Sequence, residues 1–115
     1  MPTPKTCLVA CLCAAWCRAC EGYRDTFDAL ARESEADARF VWVDIEEDEE
    51  VLNIVDIVAF PTLLIAVSDK VVFFGAVVPK PQIVRRLLQR ALAGQLDARD
   101  ERELIRLAEH LTRAR

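Results

Sequence analysis

The chain is 115 residues long, enough for one domain with its own core and too short for two of ordinary size. Apolar residues make up 53% of it, so burial rather than cross-linking can hold it together. A net charge of −4 with no basic cluster argues against a nucleic-acid surface, and no apolar run nears the length of a membrane helix.

Thr6–Cys13 is apolar and β-compatible and reads as a buried strand. Residues 17–35 read as a helix, with Tyr23, Phe27, Leu30 and Ala31 recurring on one face. Ala38–Ile45 is strongly β-prone through Phe40-Val41-Trp42-Val43. Glu46–Val58 starts acidic, as a helix N-terminus prefers, and carries Val51, Leu52, Val55 and Val58. Thr62–Val67 and Val71–Phe74, joined by Ser68-Asp69-Lys70, predict an antiparallel hairpin. Gly75 interrupts its second strand, as a bulge or a close backbone approach would. Pro79 and Pro81 introduce a helix over Gln82–Ala93 that Gly94 closes. A last helix spans Ala98–Arg113, with Leu104, Leu107, Ala108 and Leu111 as its stripe. The order βαβαββαα predicts an α/β fold, a four-stranded mixed sheet flanked by helices.

Cys7, Cys11, Cys13, Cys17 and Cys20 all fall within the first 20 residues. An odd count crowded into one stretch is a poor disulfide framework and fits a reduced compartment with one redox or metal site. Lys5 before an apolar run imitates an export signal. The stretch between Lys5 and Cys11 is too short for a secretory apolar region, so a cytoplasmic address is expected.

Cys17 and Cys20 form a Cys-x-x-Cys pair at a strand-to-helix junction. There the helix dipole and unpaired N–H groups favour a thiolate on Cys17, and Arg18 adds positive charge. A thiolate attacks a substrate disulfide, and Cys20, one turn on, can resolve the mixed disulfide. Trp16 would wall the site with apolar surface. The alternatives are buried structural cysteines, or a zinc or iron–sulfur site using Cys11, Cys13, Cys17 and Cys20. Residues 11 and 13 sit in a core-facing strand with no loop to wrap a metal, which favours redox chemistry and no metal. Cys7, Cys11 and Cys13 share one strand face by period two and read as small buried hydrophobes, with an auxiliary thiol role as the other reading. His110 reads as a solvated surface histidine.

Ala15-Trp16-Cys17-Arg18-Ala19-Cys20, with Phe60-Pro61-Thr62 some forty residues on and a glycine after the hairpin, resembles the thioredoxin family from Cys7 to Ala93. The resemblance implies a cis Phe60–Pro61 bond facing the Cys pair, and a substrate groove bordered by Trp16, Arg18, Ala19, Phe60, Pro61 and Gly75. It implies no cofactor beyond a redox-active Cys17–Cys20 disulfide. The partners it implies are protein disulfides or dithiols and an electron donor or acceptor. The activity it implies is dithiol–disulfide oxidoreductase; the alternative is a binding module that keeps the fold and holds a partner with little turnover.

Three departures stand out. The dipeptide is Arg-Ala where thioredoxins usually have Gly-Pro. The family's buried acid falls at Cys11, and the lysine often paired with it at Trp42. Too little chain precedes Cys7 for the usual first strand and helix, so residues 1–94 are read as a thioredoxin-like domain lacking them. Phe40–Ile45 then becomes a sheet edge, consistent with a monomer or a weak dimer. Residues 95–115 are expected to dock as an extra helix on the face left uncovered, through Leu104, Leu107 and Leu111.

Overall fold

A run of seven apolar residues can be buried on both faces only in the middle of a sheet. That is where β1 (Cys7–Cys13) lies, buried at every position. The computed structural model describes residues 7–78 and 80–114; Lys5, Thr6 and Pro79, to which the sequence reading gave roles, lie outside these. The order is β1, α1 (Arg18–Glu33), β2 (Arg39–Asp44), α2 (Glu49–Ile54), β3 (Thr62–Val67), β4 (Lys70–Ala76), α3 (Pro81–Leu92) and α4 (Arg102–Ala114). The strands line up β2-β1-β3-β4, with β1 parallel to β2 and antiparallel to β3. This is the expected βαβαββαα mixed sheet.

Period-two alternation splits the core in two. Cys7, Val9, Cys11 and Cys13 face α1 and α3 and pack with Cys20, Tyr23, Phe27, Leu30, Val84 and Leu88. Leu8, Ala10 and Leu12 face the other way and pack with Val51 of α2 and with Leu104, Leu107, Ala108 and Leu111 of α4. Two helices thus cover each face. Burying each leucine of the α4 stripe is worth about 1.5–3 kcal/mol relative to exposure.

Several expectations are corrected. The second helix runs over Glu49–Ile54, not Glu46–Val58. Its acidic lead-in is a turn on Asp44, whose carbonyl accepts from the N–H groups of Glu47 and Asp48. Val55 is already extended, and Val58 is 95% exposed, because the chain must straighten to enter β3. The bulge falls at Val72, where the register passes from Ile65–Phe73 to Ala66–Val71, while Gly75 pairs regularly with Leu63. The hairpin turn consists of Ser68 and Asp69, both at positive φ, and Lys70 already belongs to β4. The last helix starts at Arg102, because Arg99 is held in a bridge to β4 by its N–H donating to the Val71 carbonyl.

His110 is not a solvated residue. Its Nε2 lies 2.9 Å from both carboxylate oxygens of Asp48, the side chains being 19% and 12% exposed, which ties α4 to the start of α2.

Candidate active site

At the end of β1 the chain leaves the sheet through Ala14, Ala15 and Trp16 and enters α1 at Cys17. The Cys17 N–H donates to the Ala14 carbonyl at 3.0 Å, and its own carbonyl accepts from Glu21 N–H at 3.1 Å. The Ala15 N–H donates to Glu46 Oε1 at 3.2 Å, which anchors the turn from the β2 side. Cys17 is the N-cap, with extended backbone angles, and its thiol makes no capping hydrogen bond. The thiol is half-buried and free, where the unpaired N–H groups of a helix start converge. Arg18 and Ala19 are exposed in the first turn.

Trp16 is 68% exposed and meets Phe60 edge-on, ring centroids 5.4 Å apart at 90°. The Phe60–Pro61 peptide is cis. The loop is pinned by Thr62 Oγ1 donating to the Ala59 carbonyl at 2.6 Å and by Val77 N–H donating to the Pro61 carbonyl at 3.1 Å. Cys17 and Phe60 both pack against the two cores. Gly75 pairs with Leu63, next to the Thr62–Ala76 pair that adjoins Pro61. Trp16, Cys17, Phe60, Pro61 and Gly75 therefore gather at one end of the sheet.

The sulfurs are arranged differently from the sequence expectation. Cys20 is paired as a disulfide with Cys13, their Cα atoms 5.8 Å apart, and not with Cys17. The reason lies in the packing. Cys20 begins the buried stripe of α1 that continues through Tyr23 and Phe27, and that stripe lies on the face of β1 that carries Cys11 and Cys13. The first buried residue of the helix thus meets the last inward residue of the strand. Cys17, outside the stripe, stays at the mouth. Cys13, which the sequence favoured as a small buried hydrophobe with an auxiliary thiol role as the other reading, thus joins the site. The signal was present in the shared period-two face of Cys11 and Cys13 directly before the helix.

Below this pair the site is buried. Cys11 Sγ lies 3.6 Å from Cys13 Sγ. Burial pushes the Cys11 thiol up to about 12. Burial, then the Asp37 charge, pushes Cys7 up to about 11. Tyr23 is raised first by burial and then by Cys11, and its hydroxyl has no hydrogen-bond partner among the described residues. Phe27 packs on Trp42 at 5.7 Å, and the Arg24 guanidinium sits 5.1 Å from the Trp42 ring centre. Among the described residues no group of three or more His, Cys, Asp or Glu side chains has the arrangement of a metal site. No helix among them is long and apolar enough to cross a membrane.

A family model described as thioredoxin matches residues 3–88. No curated protein sequence matches the chain. Among solved structures, the thioredoxin of Fasciola hepatica is similar at 25% identity and a TM-score of 0.67, covering 75% of this chain and 82% of its own. The thioredoxin of Trypanosoma brucei brucei is similar at 23% identity and a TM-score of 0.67, covering 80% of each chain. The germline-specific thioredoxin Deadhead of Drosophila melanogaster is similar at 19% identity and a TM-score of 0.66, covering 75% of this chain and 81% of its own.

Proposed function

The chain belongs to the thioredoxin family, and from that premise we propose that it is a thiol–disulfide oxidoreductase acting on protein substrates, with Cys17 attacking and Cys20 resolving. The observation that carries this reading is the free, half-buried Cys17 thiol at the start of α1, beside the exposed Trp16 and one turn from Cys20.

In the reduced protein, with Cys13 and Cys20 both as thiols, the Cys17 thiolate attacks one sulfur of a substrate disulfide, forming a mixed disulfide and releasing one substrate thiolate. Cys20 then attacks Cys17 Sγ, forming Cys17–Cys20 and releasing the second substrate thiolate. The substrate gains two electrons and two protons, and the protein is left oxidised. A dithiol donor restores it by the reverse exchange. Trp16 and Phe60 offer an apolar ledge for the substrate chain, while Arg18 and Ala19 present the first turn of α1 to it. A cytoplasmic address belongs to the same proposal and rests on the odd number of cysteines crowded into the first 20 residues. So does a monomer or weak dimer, with β2 as the exposed edge.

The test is turnover of a protein disulfide with dithiothreitol as donor. Wild type should turn over. Cys17→Ser should fall to the uncatalysed rate, and Cys20→Ser should accumulate a mixed disulfide through Cys17. Undiminished turnover by Cys17→Ser would overturn the assignment. A wild type that binds protein partners without reducing them would show the binding module instead.

A further inference from the structure

We propose that Cys13 is a third redox-active cysteine, which takes Cys20 from the Cys17–Cys20 disulfide and leaves the oxidised protein with a buried Cys13–Cys20 bond and a free Cys17. This rests on the function proposed above and concerns where the disulfide goes after the substrate has been reduced.

Cys20 has two partners within reach. Cys17 precedes it by one helical turn. Cys13 comes from the end of β1, with a Cα separation of 5.8 Å, inside the usual range for a disulfide of about 4.4–6.8 Å. Only one of them can hold Cys20 at a time, and the structure joins it to Cys13 and leaves Cys17 free. The two competitors differ in surroundings. Cys13 and Cys20 are both closed off from solvent, 1% and 2% exposed, within the core under α1. Cys17 is half-buried at the mouth.

The step is an internal exchange. The Cys13 thiolate attacks Cys20 Sγ, the Cys13–Cys20 bond forms, the Cys17–Cys20 bond breaks, and Cys17 departs as the thiolate. The proton lost by Cys13 passes to Cys17 or to solvent. Nothing is oxidised or reduced overall, so no further reagent is required. The helix start that favours a thiolate on Cys17 makes it the better leaving group. Cys11 Sγ lies 3.6 Å from Cys13 Sγ, and the structure leaves Cys11 a free thiol while Cys13 holds Cys20. The result is an oxidised protein whose disulfide is shielded from bulky reductants while its surface thiol is free to react again. Returning the electrons requires Cys17 to attack Cys20 first.

The experiment adds an oxidised protein substrate to the fully reduced full-length chain, quenches with acid at successive times, alkylates free thiols and maps disulfides by mass spectrometry. Cleavage after Trp16 and after Arg18 separates Cys13, Cys17 and Cys20 onto different peptides. In wild type, Cys17–Cys20 should appear first and give way to Cys13–Cys20 with an alkylated Cys17. Cys13→Ala and Cys13→Ser should both stop at Cys17–Cys20. Cys17→Ser should form Cys13–Cys20 at least tenfold more slowly than wild type, since neither buried sulfur meets the substrate. A wild type that reduces substrate but retains Cys17–Cys20 would overturn this proposal and leave the proposed function standing. Equal rates of Cys13–Cys20 formation in wild type and Cys17→Ser would also overturn it. A wild type that reduces no substrate would overturn the function itself.

Discussion

Cys11 and Trp42 are Cα partners across the parallel ladder of β1 and β2, the positions where the family usually has a buried acid and a lysine. Here a thiol and an indole fill that space, with no ionised carboxylate to desolvate. Restoring the acid by Cys11→Asp should cost about 1–3 kcal/mol in a denaturant melt, the scale of an imperfectly satisfied buried polar group. The same acid, as a carboxylate, should speed mixed-disulfide resolution by taking the proton from the Cys20 thiol, read by stopped flow. Equal or greater stability refutes the first claim, and an unchanged decay rate the second.

The Tyr23 hydroxyl is buried without a partner among the described residues. An orphaned donor is paid for by the fold, so removing it should help: Tyr23→Phe should be neutral or stabilising by up to about 1 kcal/mol. Chemical denaturation of the two proteins side by side measures this. A loss beyond about 1 kcal/mol would mean that the hydroxyl is bonded in solution.

Cys7 and Cys11 titrate in the folded protein near 11 and 12, above the ordinary thiol value of 9.0. Above pH 9 the unfolded chain therefore loses protons that the folded chain retains. Their contribution is complete below pH 9 and is lost as pH rises toward 11 and 12, with a slope of at most about 1.4 kcal/mol per pH unit for each thiol. Urea melts from pH 8 to 10.5 should show this fall, and Cys7→Ala combined with Cys11→Ala should flatten it. Parallel pH profiles would refute the linkage.

The chain beyond Gly94 supplies Leu104, Leu107 and Leu111 to one core, the Arg99 bridge to β4 and the His110–Asp48 pair. Truncation there should expose the sheet face that α4 covers and lead to unfolding or self-association, visible by circular dichroism and gel filtration. His110→Ala alone should be milder, about 1–3 kcal/mol for a lost bond to a charged group. A truncated chain that is monomeric and as stable as the whole would sink the first expectation, and a neutral His110→Ala the second.

The sequence by itself determined the elements and their order, because apolar periodicity is local. The unbroken run Cys7–Cys13 identifies a central strand, and the spacing of Tyr23, Phe27 and Leu30 identifies the inner face of α1. Thr62–Val67 came out residue for residue. Trp16, Cys17 and Phe60-Pro61 were legible as motifs, and the fold brings them to one end of the sheet. Other features depended on contacts between segments far apart in the chain. The early end of α2, the Arg99 bridge and the burial of His110 against Asp48 are examples, and no pattern within one segment encodes them. The partner of Cys20 is the sharpest case. Along the chain Cys17 is nearer, and spacing alone favours it. Only the tertiary structure decided for Cys13, because the inward face of β1 and the buried stripe of α1 form one interface, and Cys20 belongs to that stripe while Cys17 caps the helix outside it.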